Sequence, residues 1–294
     1  MKIYNYSIVL SFLSLWLNSY IPADNLYLLG FLIILTFGIL HGANDIVIIN
    51  KSFKTLKNKP IYFLIGFYLT IVMVSALLFT FLPDFALLFF VIISAYHFGE
   101  QHWHSVLSYT NKAIKLLFEF LYGSFIFCLI FYFHLEEVER IISNICNYNV
   151  NLSFMDYLLT INGVLMVFLG VYLYKTNTLF KIQIAEQILY LLVLAMVFRT
   201  SSLIWSFAIY FVLWHSIPSL HDQITYLYNT VNRNTILEYI KKAFVYWLVS
   251  IIGLVVVYFI FKDTKIFEAL LFSFIAAITF PHVIVIFKMF NKKN

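Results

Sequence analysis

Four histidines occupy corresponding positions, each of them late in a long apolar segment. They are His41, His97, His215 and His282, in the stretches FGILHGANDIVI, ISAYHFGEQHW, YFVLWHSIPSLHDQ and ITFPHVIVIF. Neutral imidazole is a good ligand for zinc, copper, iron and nickel. A titratable side chain inside an apolar segment is costly and by default marks function. We therefore predict a metal site formed by these four side chains.

The ligand types narrow the choice of metal. The two cysteines of the chain, Cys128 and Cys146, do not accompany the histidines, which argues against a structural zinc site. Four neutral ligands leave the charge of a divalent ion unquenched and leave positions open for a small molecule. These conditions suit Fe(II) and oxygen chemistry, although the ligand geometry decides the metal. The alternative is that each histidine only forms hydrogen bonds between membrane helices.

Two acidic residues are candidates for orienting the imidazoles. Asp45 lies four residues after His41, and Glu100 lies three residues after His97, so each pair shares a helical face. A ligating histidine usually donates its second ring N–H to such a partner. We predict this role for both acids; the alternative is that they reach toward the membrane surface from a helix end.

Small and cyclic residues beside the histidines indicate close packing. Gly42 and Gly99 allow a neighbouring helix or ligand to approach closely. Pro281 frees a backbone carbonyl beside His282, which is a candidate partner for that imidazole. We predict no catalytic residue beyond the metal site, because no general base stands out.

The remaining histidines have different predicted roles. We predict interfacial positions at span ends for three of them: His102, His104 and His134. His221 lies six residues past His215 and beyond Pro218, about 9 Å lower if the chain stays helical. It is therefore a less favoured substitute for His282 as the fourth ligand.

The elements that must position these residues are membrane-spanning helices. Of the 294 residues 63% are hydrophobic and 11% charged, against roughly 25% charged in a soluble domain. A span needs about 20 mainly apolar residues. We predict ten spans, with eight as the alternative if 61–82 joins 85–105 and 183–199 joins 201–220. The ten are 5–21, 26–49, 61–82, 85–105, 114–134, 155–174, 183–199, 201–220, 244–262 and 266–288.

The predicted fold is an all-α, polytopic transmembrane bundle forming one integral membrane domain over residues 1–294. Strand-like alternation is missing, and lipid requires internal backbone pairing. The N-terminal segment is predicted to be the first span, not a cleaved signal peptide. The net charge of +5 is scattered among loops, so it does not indicate nucleic-acid binding.

Charge in the loops predicts the orientation. Basic residues are concentrated in the even-numbered loops and the C-terminal tail, and the loop 262–265 is the one clear exception. The positive-inside rule then places both termini in the cytoplasm, as expected of a multi-pass protein of the inner membrane. Spans two, four, eight and ten run the same way, and their histidines lie about 12 to 16 residues from the outer ends. All four imidazoles thus fall within roughly 6 Å of depth.

The four motifs, in this order, resemble the Brp/Blh-type bacterial β-carotene 15,15′-dioxygenases. The resemblance lies in HGANDIV at 41–47, SAYHFGE at 94–100, LWHSIPS at 213–219 and FPHVIV at 280–285. It implies a non-haem Fe(II) enzyme that uses O₂ to split β-carotene, or a related carotenoid, into two molecules of all-trans-retinal. The lipid bilayer would supply the substrate, and a retinal-binding opsin is a further partner compatible with the resemblance.

The resemblance also implies roles for individual residues. His41, His97 and His215 match iron ligands, His282 matches a site residue, and Asp45 matches the acid of the first motif. The chain departs from the family where a second histidine often follows four residues after the WH histidine, because that position is Ser219. Either His282 completes the site, or His221 does, or the chain is a divergent member with weaker activity; we expect the first.

Other functions remain open on the sequence. A carotenoid- or retinal-binding protein without catalysis, aiding opsin assembly, would need the many aromatic rings but no metal. A bis-histidine haem protein would need only ligand pairs. A membrane desaturase or hydroxylase would need HxxHH boxes, which HFGEQHWH does not supply. A transporter would have a pair of apolar segments interrupted by glycine or proline at matching positions, and the sequence does not indicate such a pair.

Overall fold

The computed structural model describes residues 2–53, 60–261 and 267–292, and this part of the chain is almost entirely helical. The helices are numbered in chain order. They are α1 Lys2–Asn18, α2 Ala23–Ile33, α3 Ile39–Gly42, α4 Asp45–Ser52, α5 Ile61–Phe81, α6 Pro83–Trp103, α7 Lys112–Phe133, α8 Leu135–Cys146, α9 Met155–Thr176, α10 Thr178–Thr200, α11 Leu203–Ile209, α12 Ile217–Tyr228, α13 Arg233–Phe261 and α14 Phe267–Lys292.

The helix boundaries follow local signals in the sequence. Pro22 and Pro60 directly precede α2 and α5, and Pro83 is the first residue of α6. Proline is favoured there because the first turn of a helix has no use for its missing N–H. Asn177 ends α9 and caps α10, since its side-chain oxygen accepts from the Phe180 N–H at 2.9 Å. These signals mark the beginnings of α2, α5, α6 and α10. The short helix α8 was not predicted.

The number of spans differs from the prediction. Eight helical segments within the described ranges are long and apolar enough to cross a membrane. The other two predicted spans are helices that fall outside those eight: α1 has only 17 residues, and α6 ends in the polar run from Glu100 to His102. The expected routes to eight spans are wrong, because Leu82 separates α5 from α6, and Ser201 and Ser202 separate α10 from α11.

Two helices lose their regular geometry at histidine motifs. A π-helix at Ile34–Gly38 leads into α3, and a turn at Ala43 and Asn44 then separates α3 from α4. A second π-helix, Tyr210–Ser216, contains His215 and leads into α12. Such π segments are rare and occur frequently at functional sites. The second and eighth predicted spans are thus irregular where they carry a predicted ligand.

The chain divides into two compact units. Unit 1 comprises Met1–Ile34, Ser94–Glu139 and Asn151–Pro218, and unit 2 comprises Leu35–Ile93, Arg140–Val150 and Ser219–Asn294. In unit 1, α7 packs against α9 and α10, while α11 packs against α2. In unit 2, α4, α5 and α14 pack against one another around a core that includes Ile48, Leu64 and Ile286.

Part of the charge pattern lies outside the described residues. This applies to Lys54, Lys57, Lys59 and Lys293 and to the exceptional loop 262–265. The orientation, the cytoplasmic termini and the single-domain organisation stay predictions.

Candidate functional site

Two of the four predicted ligands meet in unit 2. His41 lies in the last turn of α3, and His282 lies in α14 directly after Pro281. Their ring centroids are 4.6 Å apart with the planes at 90°, and both side chains are buried. Gly42 faces this contact, and a Cβ there would lie 3.6 Å from His282 Nδ1, which is an ordinary contact distance. The group that lies against Gly42 is thus an imidazole.

Asp45 orients a different histidine from the one predicted. Its carboxylate lies 2.9 Å (Oδ1) and 3.1 Å (Oδ2) from His282 Nδ1. The turn at Ala43 and Asn44 breaks the helical register on which the pairing with His41 was predicted. The carboxylate also takes the place of the backbone carbonyl expected beside Pro281. His282 Nδ1 thus faces the carboxylate, and in the tautomer that donates from Nδ1 the ring offers the lone pair of Nε2.

The same turn exposes the backbone carbonyl of His41 to a side-chain donor. Gln223 Nε2 donates to this carbonyl at 2.8 Å and to Ser219 Oγ at 3.1 Å. The Tyr239 hydroxyl in turn donates to Gln223 Oε1 at 2.7 Å, and all of these groups are buried. A non-helical backbone group at membrane depth needs such a protein partner. Ser219, which stands where relatives of the resembled family often have histidine, therefore belongs to the support of His41.

The other two predicted ligands meet in unit 1. His97 of α6 and His215 of the second π-helix have ring centroids 4.8 Å apart and planes at 78°. Each is about 1% exposed. The Phe98 ring lies 4.6 Å from the His215 ring, and the Phe211 ring stacks on it at 5.6 Å. Aromatic rings thus enclose this pair, whereas a carboxylate braces the pair of unit 2.

Glu100 is buried, as its predicted role requires, but its observed hydrogen bond goes to a tyrosine. The Tyr96 hydroxyl donates to Glu100 Oε1 at 2.9 Å. A second buried acid, Glu119 of α7, was not singled out from the sequence, and Lys115 Nζ lies 3.8 Å from it. Gly99 lies against the Glu119 backbone so tightly that a Cβ would overlap its carbonyl. The close approach predicted at Gly99 is confirmed, here as a contact between α6 and α7.

The histidines outside the predicted ligand set differ in burial, from buried His102 through partly buried His104 and His134 to exposed His221. His102, which was predicted to be interfacial, is buried within the protein: its Nε2 pairs with Gln187 Oε1, and Tyr122 stacks on its ring at 4.7 Å. Its depth in the membrane stays a prediction. His104 Nδ1 lies 2.9 Å from Lys115 Nζ, and His134 lies 3.3 Å from Ser206 Oγ.

His221 is at the surface beside Asp222, with 48% of its side chain exposed.

The arrangement within each unit fits a metal ion held by nitrogen donors. Two buried imidazoles at edge-to-face contact are close enough to be neighbouring ligands, and in unit 2 the carboxylate selects the ring nitrogen that is offered. Imidazole suits iron, and a hydrogen-bonded carboxylate behind it is the usual support. His221 does not fit this arrangement, because its side chain is exposed and its Nδ1 lies 3.7 Å from the Asp222 carboxylate, beyond hydrogen-bond distance.

Some contributing residues were missed for identifiable reasons. Tyr68 donates to Asp45 Oδ2 at 2.9 Å, but it is one of 21 tyrosines and no spacing distinguishes it. Gln223 acts on a backbone carbonyl that becomes available only because the helix breaks. Glu119 did carry a signal, since an acid within an apolar span is by default functional.

Comparison with known proteins identifies the family. The family model described as beta-carotene 15,15′-dioxygenase matches residues 32–290, which is most of the chain and includes all four motifs. No curated protein and no solved structure matches the chain. The match agrees with the ordered motifs and with an all-helical membrane protein. The chain therefore belongs to the β-carotene 15,15′-dioxygenase family.

Proposed function

We propose that this protein cleaves β-carotene at its central 15,15′ double bond to give two molecules of all-trans-retinal. The C=C bond breaks, and each of its two carbons receives one oxygen atom of O₂, so the reaction needs no external reductant. The family supports carotene dioxygenase chemistry in general. The observation that carries the metal-dependent form of this function is the buried His41–His282 pair with Asp45 on Nδ1 of His282.

We propose that the cofactor is Fe(II) and that its ligands are His41 and His282 from unit 2 and His97 and His215 from unit 1. The predicted common depth of the four motifs supports this set, as does the burial of all four side chains. When bound, the iron supplies a centre that reacts with O₂. The histidines hold it, Asp45 fixes the ring of His282, and we retain Glu100 as an indirect support of His97 through the α6 backbone.

Apolar residues supply the other requirement of the reaction. Phe98 and Phe211 cover His215 in unit 1, and Phe280, two residues before His282, contacts Phe89 at 5.2 Å in unit 2. Such surroundings exclude water and accept a polyene, with few polar groups that would compete for it. We propose that the carotenoid enters sideways from the bilayer of the inner membrane and that retinal leaves into the bilayer or passes to an opsin.

The direct test is retinal formation in cells that accumulate β-carotene. Wild-type protein is expected to bleach the cells and produce retinal, identified by chromatography. Loss of a ligand by His282→Ala or His97→Ala is expected to abolish the product while the protein remains in the membrane fraction. His221→Ala is the matched control, since its half-exposed imidazole is expected to be dispensable.

The possible outcomes separate the rival functions. Full retinal yield from His282→Ala together with loss in His221→Ala would make His221 the fourth ligand. A wild-type protein that retains carotenoid but releases no retinal would be a carotenoid-binding protein. A Soret absorption band in the purified protein would indicate bis-histidine haem.

A further inference from the structure

We infer that Tyr68 is a positioning residue for the metal-binding nitrogen of His282, acting through the Asp45 carboxylate. The three side chains come from the three helices that pack together in unit 2: Tyr68 from α5, Asp45 from α4 and His282 from α14. The identity of the metal rests on the proposed function, whereas the hydrogen-bonded chain itself is a feature of the fold. Nothing in the family match assigns a role to Tyr68.

The Asp45 carboxylate lies between two hydrogen-bond partners, the His282 ring and the Tyr68 hydroxyl. Asp45 and His282 have only 2% and 4% of their side chains exposed, so the carboxylate is shielded from bulk solvent. Oδ1 lies nearer to His282 Nδ1, at 2.9 Å, and Oδ2 accepts the Tyr68 hydroxyl at 2.9 Å. Removing one donor from a buried carboxylate is costly, because the oxygen left without a partner keeps its full desolvation penalty. Tyr68 therefore holds the carboxylate plane in which Nδ1 of His282 finds its acceptor.

The consequence reaches the metal through the histidine tautomer. With Nδ1 donating to Asp45, Nε2 carries the lone pair and the ring plane is fixed. Partners one layer behind a metal ligand typically change metal affinity about 10- to 100-fold when mutated. Tyr68 is one hydrogen bond further from the metal than Asp45 is. We therefore expect loss of its hydroxyl to change metal affinity less, about 3- to 10-fold.

Packing makes this a clean test. Tyr68 is partly buried beside the unit 2 core, so Tyr68→Phe keeps the ring that contacts this core and removes only the oxygen. Tyr62→Phe is the matched control: it makes the same chemical change on the same helix, at a side chain that is 75% exposed.

The experiment titrates metal-free, detergent-purified protein with Co²⁺ under anaerobic conditions and follows the ligand-field absorption bands. Tyr68→Phe is expected to weaken Co²⁺ binding about 3- to 10-fold and to shift the bands, with Asp45→Asn weakening it more and Tyr62→Phe matching wild type. A merely structural role would lower thermal stability without moving the bands.

The failures are distinguishable. Wild-type affinity and unshifted bands in Tyr68→Phe, alongside metal binding by the wild-type protein, would overturn this inference and leave the proposed function standing. Failure of the wild-type protein to take up Co²⁺ or iron at all would overturn both.

Discussion

The two histidine pairs are built in contrasting ways. In unit 2, the Asp45 carboxylate accepts a hydrogen bond from His282, and Gln223 donates one to the backbone carbonyl of His41. In unit 1, the pair of His97 and His215 is enclosed by aromatic rings, and its helix α6 is fixed against α7 by backbone contact. One pair depends on polar positioning and the other on steric fit. Substitutions in the two units should therefore fail in different ways.

The largest effect is expected where the steric contact in unit 1 is broken. Gly99→Ala would place a methyl group on the Glu119 carbonyl, and neither backbone can move without separating α6 from α7. We expect a loss of at least about 3 kcal/mol in stability, at the upper end of overpacking effects. Thermal unfolding in detergent measures it; a variant as stable as wild type would show that the two helices are free to separate.

The next largest effect is expected on metal affinity, where Asp45 should matter more than Glu100. Asp45→Asn removes the acceptor that fixes His282, and we expect metal affinity to fall about 10- to 100-fold. Glu100→Gln should change it less, because the observed hydrogen bond of Glu100 goes to Tyr96. Iron titration of both variants checks this order. Equal losses would mean that Glu100 supports the His97–His215 pair as directly as Asp45 supports its own.

A smaller effect is expected from the support of the His41 backbone. Gln223→Leu keeps most of the volume but leaves the His41 carbonyl and the Tyr239 hydroxyl without this buried partner. The expected cost is about 1–3 kcal/mol in stability, accompanied by weaker metal binding. Gln223→Glu, which retains the acceptor for Tyr239 but loses the donor to His41, serves as the paired variant. Unchanged metal binding in both would confine Gln223 to a structural role.

The smallest effect is expected at the glycine of unit 2. A methyl group at Gly42 would lie 3.6 Å from His282 Nδ1, an ordinary contact distance, whereas the same change at Gly99 overlaps backbone. We expect Gly42→Ala to change stability by less than about 1 kcal/mol. A loss as large as that of Gly99→Ala would show that the unit 2 pair is also limited by steric fit.

Much of the helical framework follows from the sequence, because apolar length and proline or asparagine boundaries act locally. The predicted spans coincide with helical segments, two of which contain π-helices, and His41, His97, His215 and His282 are all buried. The sequence pattern assumes regular helices, however, so the π-helices and the turn at Ala43 could not be foreseen. Those irregularities redirect Asp45 from His41 to His282 and give Gln223 its acceptor.

The burial of His102 shows a second limit. Its position near the end of an apolar run suggested the membrane surface, yet Gln187 and Tyr122 come from distant parts of the chain to enclose it. Position within a span predicts depth, but it does not predict which neighbours surround a side chain. The same limit hid Tyr68, whose role depends on the packing of three helices.

The iron content of protein purified without oxygen shows whether the four histidines bind one metal ion. We expect about one Fe(II) per wild-type chain. We also expect loss of that iron in His41→Ala, His97→Ala, His215→Ala and His282→Ala, with full retention in His221→Ala. Retention of iron after removal of either histidine pair, or wild-type protein without iron that still forms retinal, would contradict this expectation.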